Sequence, residues 1–328
     1  MSLKSKVLLL MLFCFLVASA QDFSKVDAAV SGYPRSFSKP EELASKISRD
    51  FSGEEDKARA IFSWIAFNIR YDVESYFSNS APKGVSYRYS TPEEKLQKER
   101  QLKLDKIGKV LRTNSALCHG YALLFEHLSS LCGLESVFIS GNAKTAIGDI
   151  GRLPKESQHA WNAVRINGKW KLLDVTWAAG TVDPKKRTFA ARFNDGYFFT
   201  PPEAFVLNHF PEDRSWTLGN FTEKEYAAYP LYYPEYFKSR FRILAPESGT
   251  IIIEKPKAVS FKIEGLDRNA QVFYALSPGD MPEKAVLRRA GGVAEFDVFI
   301  NGGASCLTLY VSQKAVAAYK IVRKPAAA

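Results

Sequence analysis

The dipeptide Asn167-Gly168 stands between the runs "HAWNAVRI" and "KWKLLDVTW", and it constrains the fold more than any other stretch of the chain. Asn-Gly between apolar, strand-like runs is the strongest short-range signal for a two-residue hairpin turn, whose central residues take positive φ. Such a turn fixes the register, because opposed residues then carry numbers summing to 335. His159 faces Thr176, Trp161 faces Asp174, and His159 and Asp174 share one sheet face at roughly 7–8 Å between backbone positions. A histidine and a carboxylate so placed can be bridged by a ring N–H···O bond. That bond fixes the imidazole tautomer and supports its protonated form. The reading depends on regular pairing out to the strand ends.

Upstream lies "TNSALCHGYALLFEHLSSLCG", which reads as a buried helix with Cys118 at its front and His119 beside it. Cys118 has four readings: a small core residue, half of a disulfide, a metal ligand or a nucleophile. Fourteen residues along one helix place Cys118 and Cys132 roughly 21 Å apart, beyond disulfide reach. A pair between Cys132 and Cys306 stays open in an oxidising compartment. No C-x-x-C, H-x₃-H or H-E-x-x-H spacing is present, so neither a metal nor another cofactor is expected. A thiol at a helix start beside an imidazolium becomes a thiolate more readily. The N–H groups of that helix start can also stabilise an oxyanion, and Gly120 permits close backbone approach. Taken singly, a buried cysteine or a strand histidine is more often structural. As an ordered set, Cys118, His159 and Asp174 form the candidate catalytic triad. His119 and Trp161 are candidates for lining a substrate cleft, against the plainer readings of an exposed bystander and a hairpin core residue. His209, in "NHFPEDRSW", is read as structural.

The remaining sequence supplies the frame. Lys4 and Lys6, the run "VLLLMLFCFLV" and "ASA" before Gln21 read as a secretory leader over residues 1–20, cleaved near Ala20. An exported chain, secreted or periplasmic, with no transmembrane segment in the mature protein is expected. Removing the leader lowers the net charge from +10 to +8. A basic surface of mixed sign suits an anionic wall polymer or membrane surface, and without a recognition motif it argues against nucleic acid. Helical signals open at "SKPEELASKISRDF", with a serine cap, and at "EEDKARAIFSWIAFNIRYD". They also open at "STPEEKLQKERQLKLDKIGKVL", where Thr91, Pro92 and Glu94 form a capping box. "ESVFISG" reads as a strand. Residues from about 185 to 245 read as irregular, aromatic packing. From Ile251 short alternating strands separated by turns signal a small β-sandwich.

"ALCHGYALLFEHLSSLCGLESVFISG", "HAWNAVRINGKWKLLDVTW" and "KARAIFSWIAFNIRYD" together resemble the transglutaminase-like superfamily of papain-like thiol enzymes. The continuation "GYFFTPPEAFVLNHFPEDRSW" is similar to its kyphoscoliosis-peptidase branch. The resemblance implies an α+β fold: a papain/transglutaminase-like core, with a nucleophile helix on an antiparallel sheet, followed by an Ig-like β-sandwich. The divisions expected are a leader at 1–20, a catalytic domain at 21–245 and an accessory domain at 246–328. It also implies Cys118 as nucleophile, His159 as general base and acid, and Asp174 as its orienter. The function implied is a thiol peptidase or amidase acting on a protein or peptide-containing substrate, associated with a cell wall or surface. An amine-acceptor transglutaminase and a non-catalytic binding module with a vestigial triad are the alternatives. "SAL" before Cys118, where many members have a nearby glycine, and the charged insertion at residues 90–111 depart from the pattern.

Overall fold

The structure, a computed structural model, describes residues 22–78, 88–154, 156–277, 280–301 and 303–324. The leader reading of residues 1–20 lies outside them. Among the described residues no helix is long and apolar enough to cross a membrane.

The first module packs helices on one antiparallel sheet. The Glu54–Asn68 helix carries three acids in its first turn, where they complement the helix dipole, and buries Ile61, Phe62, Trp64 and Ile65. Both of the next helices start where the sequence reading puts them, but one cap and one return bond are shifted by a residue. The Pro40–Asp50 helix is capped by Lys39, while Ser38 bonds Glu42. In the Pro92–Thr113 helix, Thr91 accepts from the Glu94 N–H, but the Glu94 carboxylate reaches back to Ser90 N. The sheet runs in the order Lys169–Leu173, His159–Ile166, Ser136–Ala143, His209–Pro211. The Cys118–Leu131 helix lies against its middle strands, burying Tyr121, Leu124, Phe125 and Leu128.

The hairpin has the register that Asn167-Gly168 implies, from Ile166 opposite Lys169 to Asn162 opposite Leu173. Both turn residues have positive φ, 49° at Asn167 and 77° at Gly168. Regular pairing then stops, so the expected facing pairs His159–Thr176 and Trp161–Asp174 do not form. Asp174 is instead the N-cap of a short helix, Val175–Ala179, its Oδ1 accepting from Trp177 N at 3.1 Å. A capping aspartate ends a strand because its side chain offers the backbone N–H groups a local partner.

The second module is the expected all-β sandwich. One sheet orders Arg242–Ala245, Lys257–Glu264, Val293–Ile300 and Arg288–Ala290. The other orders Thr250–Ile253, Lys314–Arg323, Cys306–Val311, Val272–Ala275 and Glu283–Lys284. Phe261 stacks on Phe296 at 5.3 Å and meets Tyr319 edge-on between the sheets. The modules are stitched together along the preceding segment. Leu231–Tyr232 pairs with Ala318 and Ala317 of the sandwich, while Asn208 exchanges two hydrogen bonds with the Tyr232 backbone. Lys144, 1% exposed, donates to the carbonyls of Tyr226 and Tyr229 at 2.8 and 2.7 Å.

Candidate active site

Cys118 is the first residue of its helix, capped by the extended backbone of Leu117. The first N–H groups of a helix have no intrahelical acceptor, so this turn presents donors and the positive end of the dipole around the thiol. Gly120 is needed here: a Cβ would sit 2.7 Å from Ala116 Cβ and 3.0 Å from Val110 Cγ2. Asn162 ties this helix to the hairpin, its amide donating to Ala122 O and Val137 O, both at 3.1 Å.

His159 and Asp174 meet directly, Nε2 to Oδ2, at 2.7 Å. The strand that carries His159 and the cap that holds Asp174 converge where the hairpin's pairing ends. Asp174 is fully buried and accepts a second bond from His209 Nε2 at 3.0 Å, so one carboxylate holds two imidazoles. His209 was read as structural. It reaches the site on the three-residue strand His209–Pro211, too short to leave a periodic signal. Aromatic rings box it in: Phe205 stacks at 4.1 Å and Trp177 lies at 4.4 Å.

Burial opposes charge on His159, but the Asp174 carboxylate outweighs it and lifts the imidazole to about 10. Burial likewise pushes the Cys118 thiol up, yet hydrogen bonding to His119 and His159 brings it down to about 6. Burial raises the Asp174 carboxyl, whereas His159 and His209 pull it well below the usual range. Burial keeps His209 neutral. A neutral imidazole has one N–H, which serves Asp174 and leaves Nδ1 without a hydrogen-bond partner. With His159 Nε2 given to Asp174, its Nδ1 is the ring nitrogen left for the thiol.

The other candidates sit differently. His119 is exposed, with Nδ1 3.7 Å from Cys118 Sγ. Trp161 is 1% exposed beneath the two histidines, so it packs the sheet face rather than lining a cleft. Tyr71 carries no sequence signal that sets it apart. The Tyr71–Ala116 bridge places it two residues from Cys118, and burial with a nearby thiolate pushes its phenol up. Cys118, Cys132 and Cys306 are all free, so the open Cys132–Cys306 pairing does not occur. His159, Asp174 and His209 bring three ligand-type atoms within 4.8 Å of one another. A cation there would have to displace both hydrogen bonds to Asp174 Oδ2.

A helix-borne thiol facing a histidine–carboxylate pair at the end of an antiparallel hairpin is the arrangement of papain-like thiol enzymes and their transglutaminase-like relatives. Residues 41–175 match the transglutaminase-like superfamily. The chain is 33% identical to kyphoscoliosis peptidase of Mus musculus over 197 residues, covering 60% of this chain and 26% of that protein. It is 31% identical to the Homo sapiens kyphoscoliosis peptidase over 199 residues, covering 60% and 27%. It is 26% identical to the Lim and transglutaminase domain protein ltd-1 of Caenorhabditis elegans over 196 residues, covering 54% and 23%. The similarity thus extends to the kyphoscoliosis-peptidase branch, and the chain spans about a quarter of the length of these relatives.

Proposed function

We propose that the protein is an exported thiol hydrolase that cleaves amide or peptide bonds through Cys118, His159 and Asp174. The observation that carries this reading is the single chain of contacts from a lowered thiol, through His159, to a buried carboxylate at 2.7 Å. The Cys118 thiolate attacks the amide carbonyl carbon, and the N–H groups at the helix start stabilise the oxyanion. The His159 imidazolium gives its proton to the leaving amine as the C–N bond breaks, leaving a thioester. Neutral His159 then takes a proton from water, which attacks the thioester and releases the carboxylic acid and the Cys118 thiolate, restoring the thiolate–imidazolium pair. Asp174 stays ionised throughout and holds the ring in one tautomer, and His209 fixes Asp174. An amine entering in place of water gives transamidation by the same steps. The name of the murine and human relatives, kyphoscoliosis peptidase, favours hydrolysis. In this reading residues 1–20 are an export leader, 21–245 the catalytic domain and 246–328 an accessory domain. The protein acts on peptide-containing substrates at a wall or cell surface.

The test is a mass-spectrometric survey of a peptide mixture incubated with wild type or Cys118→Ser, with and without an added primary amine. New termini that depend on Cys118 support hydrolysis, and amine adducts on glutamine side chains assign transamidation. Equal products from both proteins would remove the catalytic reading.

A further inference from the structure

A cavity of about 310 Å³ opens at the seam between the two modules. Trp177 is one of its lining residues, and the Trp177 ring packs against His159 at 5.4 Å and His209 at 4.4 Å. Arg192 and Lys238 line it from the first module, and Gln313 and Lys314 from the sandwich. The sandwich residues sit at a tight hairpin turn in which Val311 pairs with Lys314, and Ser312 and Gln313 have φ of 49° and 66°. A turn with two positive-φ residues has a fixed geometry, so Lys314 is presented rather than left trailing.

The charges in this cavity do not balance. Glu235 accepts from Arg192 at 2.8 Å and from Lys314 at 3.1 Å, while Lys238 donates to the Phe193 carbonyl at 2.9 Å. Three cations therefore face one carboxylate, an excess of two positive charges among the lining residues. A second carboxylate completes the set, because Arg and Lys gain most from ionised acceptors. The volume is at the small end for a ligand pocket and suits one side chain rather than a whole cofactor.

We propose that this cavity is a specificity subsite that takes the carboxylate of an acidic side chain of the peptide substrate. The sandwich completes the subsite through Lys314, and the bound group rests against the indole that supports the catalytic histidine. The assignment of a substrate rests on the hydrolase reading above. The subsite itself is testable without turnover.

Calorimetry on the full chain carrying Cys118→Ser would use acetyl-Ala-Glu-Ala-amide, its Gln isostere and glutarate as probes. The Glu peptide should bind at least about tenfold more tightly than the Gln peptide, in line with a charge-assisted bond. Arg192→Gln and Lys314→Gln, whose side chains are 57% and 56% exposed and so leave the core intact, should each erase most of that preference. Equal binding of the two peptides, binding of neither, or a preference that survives both substitutions would overturn the subsite. Glutarate binding as tightly as the Glu peptide would overturn its assignment to a substrate residue and leave a free dicarboxylate as the ligand. Selective binding by this variant, with no cleavage by wild type, would keep the subsite and remove the hydrolase reading. Cleavage indifferent to acidic residues would do the reverse.

Discussion

Asp174→Asn tests the electrostatic core of the site because it changes charge while keeping shape and the cap to Trp177. Without the carboxylate, the burial that opposes a charged His159 prevails and the ring loses its proton. The Cys118 thiol then loses its imidazolium partner and moves from about 6 back toward its ordinary 9.0. At pH 7 the thiolate fraction falls from about 90% to about 1%, roughly a hundredfold. A more basic thiolate is also a better nucleophile, and with a Brønsted slope of about 0.45 a three-unit rise returns about 20-fold. The net loss at pH 7 is therefore only about fivefold. At pH 5 it grows to about 40-fold, and above pH ~8 the variant becomes the faster protein. The two profiles should cross between about pH 7 and 8. The assay is iodoacetamide alkylation read peptide by peptide across pH 4.5–10. Cys132 and Cys306 serve as internal references, since burial pushes both thiols up. A midpoint near 6 in both proteins, or a variant curve lying below wild type at every pH, would show that Asp174 does not set the charge of His159.

Three other substitutions separate support from chemistry. His209→Phe removes one donor to Asp174 and fills the space beside Phe205. Urea unfolding should show a loss of about 2 kcal/mol, the range for a bond to a charged group, while the Cys118 alkylation midpoint stays low; a midpoint near 9 would place His209 in the proton chain. Gly141→Ala puts a Cβ 2.4 Å from both Phe210 O and Trp161 Cη2, on the residue that pairs with His159. It should lower Tm by about 5–10 °C and slow Cys118 alkylation, and a Tm equal to wild type would contradict that packing. Lys144 is held by burial at about 7, against 10.5 when exposed. Below pH 7 both folded and unfolded chains carry its charge and folding bears the cost; above 10.5 neither does. Its contribution to stability therefore rises between those limits, by up to about 5 kcal/mol at 1.36 kcal/mol per unit. Lys144→Met should abolish this rise in denaturant midpoints measured from pH 7 to 10, and parallel curves for the two proteins would disprove it.

The hairpin was legible because Asn167-Gly168 sets register locally; that register runs only to Asn162 opposite Leu173, and the cap at Asp174 brings its carboxylate the rest of the way to His159. The end of the strand was not, because Asp174 acts through a cap that ends the pairing, and capping competes with strand pairing at that residue. The Cys118–Leu131 helix announced itself by an apolar run with glycine two residues past the thiol. His209 was hidden for a different reason: three residues of strand carry no period, and its partner Asp174 lies 35 positions away. Trp161 shares the face of His159 as alternation requires, yet alternation does not distinguish the wall of a cleft from the core beneath it. The excess charge at the seam was equally illegible, since Arg192, Glu235 and Lys314 meet only once the sandwich docks.

The proposed chemistry requires that Cys118 accept an acyl group. Intact-mass measurement after mixing with p-nitrophenyl acetate, quenched in acid at early times, tests it directly. The expected result is a burst of about one equivalent of nitrophenol with a single acetyl group on the Cys118 peptide, lost in Cys118→Ala and weakened at pH 7 in His159→Ala. Acetylation confined to surface lysines, or a burst unchanged in Cys118→Ala, would contradict it.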